Sequence, residues 1–140
     1  MFDKTYEDRL LAWSKFRQGL ETSTDPIQDV IDNYNTAPTV SIHTDPWNQD
    51  SWPSPWQLIL ENQYCEFSRV LGMCYSLQLT ERFNQVSFEI HITTDYEKSA
   101  SYYILIVDKY VIGYYNSYIA ISELPTSLVS EKIYSMPHRL

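Results

Sequence analysis

Apolar residues recur along this chain at two different periods, and the change of period divides it. From Thr5 to Leu20, Tyr6, Leu10, Trp13, Phe16 and Leu20 fall three and four residues apart. That spacing predicts a helix with one wide apolar stripe. Thr5 followed by Asp8 is an acidic variant of a capping box, and Gly19 lies near the helix end. A second, shorter helix is predicted with Thr24 as cap and Pro26 in its first turn, burying Ile27, Val30, Ile31 and Tyr34. Asn33, Asn35 and Pro38 end it. From Ala37 to Pro55 the pattern is irregular, with Val40-Ser41-Ile42-His43 as one short extended piece. Ser54, Pro55 and Gln57 then start a long helix reaching about Leu77, with a break near Asn62. Tyr64, Phe67, Leu71, Cys74 and Leu77 mark its inner face, joined by Leu58 and Ile59. Gly72 inside that face predicts a close approach by another backbone.

From Val86 the period falls to two. Val86, Phe88, Ile90 and Ile92 alternate with Ser87, Glu89, His91 and Thr93, as in a half-buried strand. Tyr102–Val107 and Tyr110–Tyr115 flank Asp108-Lys109 and predict a tight antiparallel hairpin. Tyr118–Ile121 reads as a fourth strand. Pro125–Tyr134, with Leu128, Val129 and Ile133 inward, reads as a closing helix. Helices first and strands later is α+β order: N-terminal helices on a C-terminal antiparallel sheet. At 140 residues, with 44% apolar residues and no linker-like run, one domain spanning 1–140 is expected.

Charge narrows the function classes. Asp and Glu outnumber Lys and Arg, 18 to 10, for a net charge of −8, and the cations are scattered singly. Direct nucleic-acid binding needs clustered cations, so it is disfavoured, as is an anionic membrane surface. No apolar run approaches a membrane span, and Met1-Phe2-Asp3-Lys4-Thr5 lacks the order of a signal peptide. Cys65 and Cys74 stand nine residues apart in the predicted long helix, about 13.5 Å of rise, so they are expected to be free thiols made in a reducing compartment.

Few residues suggest chemistry. Cys65 is the best candidate nucleophile, since a helix start after Asn62 would lower its pKa. A cysteine at a helix start followed by an antiparallel sheet resembles transglutaminase-like and papain-like cores, over about Tyr64 to Asn116. That resemblance implies a histidine where Ser101 or Tyr102 stands and an acidic residue near Asn116. Without a placed base, a packed cysteine is the commoner reading. Glu89 and His91 share the polar face of one strand and could orient an imidazole or hold a metal, although an exposed pair on a wet face is commoner. His43 with Asp45 lacks further ligands at zinc spacing, and Asp45, Asn48 and Asp50 lack the glycine and closing Glu of a calcium loop. No catalytic residue, metal or cofactor is therefore assigned.

The most unusual feature is Asp45-Pro46-Trp47-Asn48-Gln49-Asp50-Ser51-Trp52-Pro53-Ser54-Pro55-Trp56, three Trp and three Pro within twelve residues. Prolines stiffen the segment, so its indoles offer apolar area at low ordering cost. Trp47, Trp52 and Trp56 are the expected partner-binding residues, against the alternative that they cap the core. These residues, with Tyr6-Glu7-Asp8-Arg9-Leu10, Asp25-Pro26-Ile27-Gln28, Tyr64-Cys65-Glu66-Phe67 and Leu71–Thr80, resemble small proteins of T-even-like tailed phages of marine cyanobacteria. The resemblance brings no activity with it. It implies a virion structural or assembly protein of the neck, tail or baseplate, made in host cytoplasm. Its expected partners are other phage structural proteins, and homo-oligomerisation within the assembly stays open. A cysteine enzyme using Cys65 and a host-takeover factor binding a bacterial protein are the alternatives.

Overall fold

A computed structural model describes residues 1–41 and 44–139. The chain forms helices α1 (Tyr6–Thr22), α2 (Pro26–Tyr34), α3 (Pro55–Glu61) and α4 (Glu66–Gln78). Strands β1 (Phe88–Asp95), β2 (Ala100–Val107), β3 (Tyr110–Ile112), β4 (Ile119–Ala120) and β5 (Leu128–Met136) follow. The fold is α+β, with an antiparallel sheet in the order β4-β3-β2-β1-β5.

Local chemistry sets most boundaries. The Thr5 hydroxyl accepts the Asp8 amide at the start of α1. Asp25, not Thr24, occupies the cap of α2, and Pro26 fills the first helical position, where no amide is needed. Ser54 and Gln57 cap α3 reciprocally. The expected break falls at Asn62, which takes the left-handed conformation (φ 52°) and donates its amide to the Leu58 carbonyl. The hairpin turns through Asp108 (φ 56°), pairing Val107 with Tyr110. β3 ends sooner than the apolar run suggests. Gly113 has φ 112°, and a Cβ there would meet the Tyr103 carbonyl oxygen at 2.3 Å.

Helix α4 lies at the centre, with eleven of its 13 residues buried. Helices α1, α2 and α3 and strand β2 all pack against it, so the one-faced pattern read from sequence understates its burial. Phe88, Ile90, Ile92, Leu105, Val107, Tyr134 and Met136 belong to the same core. Gly72 makes room for the Tyr34 ring, not for a backbone: a Cβ on Gly72 would stand 2.4 Å from Tyr34 Cε1. One turn further, Ser76 Oγ donates to the Gly72 carbonyl at 2.8 Å. A hydroxyl has a single proton, so Ser76 accepts from both other partners. These are Trp13 Nε1 at 2.9 Å and the Tyr34 hydroxyl at 3.0 Å. One buried oxygen thereby ties α1 and α2 to α4.

The closing helix expected over Pro125–Tyr134 is instead β5, paired antiparallel to β1. A β-bulge explains the misleading pattern. Ile92 pairs with Lys132 and Thr93 with Ser130, so Glu131 is passed over. The extra residue shifts the side-chain alternation, leaving Leu128, Val129, Ile133 and Tyr134 at nearly helical spacing. Tyr134 is buried, whereas Val129 and Ile133 are exposed.

A second apolar cluster, Ile104, Val111 and Tyr114, lies on the opposite sheet face with Ile119, Leu124 and Leu128 against it. Asp95 anchors this layer. Its Oδ2 accepts the Tyr114 hydroxyl at 2.9 Å, and its Oδ1 accepts the Glu97 and Lys98 amides. Burial pushes the Asp95 carboxyl up, but hydrogen bonds from Ser127, Tyr114 and the two amides outweigh it and hold its pKa below the ordinary 3.8.

Two stability measurements follow. Gly19 sits on an open face of α1 with nothing near its missing Cβ, so Gly19→Ala should raise stability by about 0.5–1 kcal/mol in urea unfolding. Gly72→Ala should lower it by about 1–3 kcal/mol, because ring displacement outweighs helix propensity. A gain in both variants contradicts the packing described. A folded-state pKa below the unfolded value means that Asp95 stabilises above the ordinary carboxylate range and loses that effect as pH falls through it. The stability gap between the native protein and Asp95→Asn should therefore narrow between about pH 7 and pH 3. A gap that widens toward acid refutes the assignment.

Candidate functional site

The tryptophan–proline segment is ordered by its own polar groups. Asp45 Oδ1 accepts the Trp47 amide at 2.9 Å, and the Asp45 carbonyl accepts Trp52 Nε1 at 3.0 Å. A short 3-10 turn at Gln49–Ser51 follows, held by the Ser51 hydroxyl on the Asn48 carbonyl at 2.7 Å. Pro53 and Pro55 are buried, and the Tyr75 hydroxyl holds the Pro53 carbonyl at 2.8 Å.

The three indoles take three environments. Trp52 is half-buried, with ring centroids 4.9 Å from Phe67 and 4.7 Å from Tyr134, so it bridges α4 and β5. Trp56 stands edge-on to Trp13 at 5.2 Å and keeps 51% of its surface exposed. Trp47 is 59% exposed. Among the described residues no ring stacking joins any two of the three.

Sequence reasoning missed what surrounds Trp56. The Arg17 guanidinium lies 4.3 Å from the Trp13 ring and 6.0 Å from that of Trp56. Leu60, one turn on from Trp56, is also exposed. Arg9 donates to the Ile59 carbonyl at 3.1 Å and the Leu60 carbonyl at 3.2 Å, satisfying two carbonyls in the last turn of α3. Trp56 and Leu60 at i and i+4 were a visible pair, but Leu58 and Ile59 between them drew that helix inward.

Cys65 is the residue before α4 and is buried. Its amide donates to Ser68 Oγ at 2.8 Å, and its Sγ lies 3.3 Å from the same oxygen. A cavity of about 750 Å³ opens beside it, lined also by Thr44, Asp45, Phe67 and Tyr103. Ile42 and His43, and with them the extended piece and the His43–Asp45 pair read from sequence, lie outside the described residues. Ser101 and Tyr102 are in β2, and Asn116 is exposed between β3 and β4. Cys65 and Cys74 are not joined in a disulfide, and burial pushes the Cys74 thiol pKa up.

His91 is not on an exposed wet face. It is 9% exposed, with Nδ1 2.7 Å from Ser130 Oγ and Nε2 3.1 Å from Glu89 Oε1. Ser130 escaped the sequence reading because its segment was assigned to a helix. His138 Nδ1 meets the Asn84 carbonyl at 2.6 Å. Among the described residues no three His, Cys, Asp or Glu side chains are grouped to hold a metal. Among them, too, no helix is long and apolar enough to cross a membrane.

The chain was compared with protein-family models, with curated proteins and with solved structures. It matches none.

The three environments separate in a melting experiment. Trp52→Ala should destabilise the isolated chain by about 3 kcal/mol, the scale for removing a large aromatic from a core edge. Trp47→Ala should stay within about 0.5 kcal/mol of the native protein. Equal losses at both positions would contradict the described packing.

Proposed function

We propose that this protein acts by protein–protein contact, as a structural or assembly component of a virion, in the neck, tail or baseplate. The observation that carries the binding part is the half-exposure of Trp47 and Trp56 on backbone already fixed by internal hydrogen bonds. An indole held in place loses little freedom when a partner covers it, so its apolar area converts efficiently into affinity. Trp52 locks the segment to Phe67 and Tyr134. The virion context is supported by the resemblance to phage proteins.

The partner chemistry follows from what rims the rings. Asp45 and Asp50 are exposed close to Trp47 along the chain and Glu61 close to Trp56, where Arg17 stands on the Trp13 side, and the whole molecule carries −8. The fitting surface is an apolar pocket edged by Lys or Arg, on another structural protein of the particle. Charge of opposite sign would speed encounter, and the buried indoles would slow release.

The test is the copy number of the protein in purified particles assembled with native or variant chains. Native chain should be present at fixed stoichiometry, and joint Trp47→Ala and Trp56→Ala should reduce occupancy by roughly tenfold or more. Particles lacking the native protein, or carrying the double variant at native copy number, would overturn this reading.

A further inference from the structure

Glu89, His91 and Ser130 stand together on the sheet face turned away from the helices. The Glu89 carboxylate lies 3.1 Å from His91 Nε2, and Ser130 Oγ lies 2.7 Å from His91 Nδ1. A carboxylate only accepts, so in the neutral ring Nε2 carries the proton and Nδ1 is the acceptor for the Ser130 hydroxyl. Nucleophile, base and orienting carboxylate are thus linked in the order that activates a serine, with the two ring nitrogens in exchanged roles.

The bulge in β5 adds a third part. Glu131 is passed over by the β1 ladder between Ser130 and Lys132, so its backbone stands outside the regular residue pairing there. The amide following a nucleophilic serine is the donor that receives an oxyanion in α/β-hydrolases. Ile133 pairs with His91 across the strands and is half exposed beside it, offering an apolar ledge. Glu89 and Glu131 keep the surroundings anionic, which disfavours an anionic substrate.

We propose that Ser130 is an acyl-accepting nucleophile, with His91 as its base and Glu89 as the positioning carboxylate, for small uncharged esters. The Ser130 oxygen adds to the ester carbonyl while its proton passes to His91 Nδ1. The carbonyl oxygen becomes an oxyanion facing the Glu131 amide. Collapse breaks the bond to the alcohol, which leaves with the proton held by His91. Water then adds to the acyl-serine in the same way, releasing the acid and restoring the Ser130 hydroxyl.

This site is independent of the tryptophan surface, so its test leaves Trp47 and Trp56 untouched. Native chain is treated with an uncharged alkyl fluorophosphonate, whose phosphorus the serine oxygen attacks with loss of fluoride. Intact mass and peptide mapping read the product. One adduct is expected, on Ser130, absent from Ser130→Ala. Glu89→Gln should slow its formation roughly tenfold or more at an unchanged melting temperature, because a Gln amide can donate to Nε2 and reverse the imidazole tautomer. Absence of an adduct on Ser130 overturns the proposal. So does labelling of a folded Glu89→Gln at the native rate.

Discussion

The Ser76 hydroxyl is the group on which the arrangement of helices depends. It is buried, it donates to Gly72, and it accepts from Trp13 and Tyr34, so three helices meet at one oxygen. Every polar atom in that contact is satisfied only when the helices sit in this relation, and an orphaned buried donor is costly. Gly72 is the steric half of the same constraint, since only a residue without Cβ admits the Tyr34 ring. Desolvation pushes the Tyr34 hydroxyl up to about 12, which keeps it a proton donor across the physiological range. The exposed surface inherits this geometry. Trp13, held by Ser76, is the ring against which Trp56 stands.

The sheet is organised by a comparable pair of devices on its other face. Asp95 gathers the turn after β1, Tyr114 and Ser127, so the connection to β5 is fastened where it must cross from one sheet edge to the other. The β5 bulge then re-aims Ser130 toward His91. A charged pair, Glu131 and Lys132, sits at the middle of this edge strand, a placement that discourages unplanned pairing with other strands. The face against α4 is apolar, and the other carries both the Ile104, Val111 and Tyr114 cluster and a polar row at Glu89, His91 and Ser130.

Most of the fold was legible because local signals agreed with tertiary packing. The Ser54–Gln57 cap, the break at Asn62 and the Asp108-Lys109 hairpin are each fixed by residues adjacent in sequence. Three features were not, and each depends on contacts distant in the chain. The bulge disguised β5, because one extra residue converts a two-residue alternation into a spacing close to helical. Gly72 could be read as a close approach, but not which group approaches. The tryptophans read as one cluster, yet their environments are set by Phe67, Tyr134 and Trp13, which no local pattern ties to them. The Ser130–His91 contact was hidden by the first of these errors.

The separation of core from surface rests on the helices being held at Ser76, and Ser76→Ala tests that directly. The change removes one small hydroxyl and leaves two buried donors, Trp13 Nε1–H and the Tyr34 O–H, without an acceptor. Urea unfolding should register a loss of about 2 kcal/mol or more, since each orphaned donor costs about 1–3 kcal/mol. A loss below about 0.5 kcal/mol, the range of an ordinary surface substitution, would mean that the three helices are positioned by something other than this oxygen.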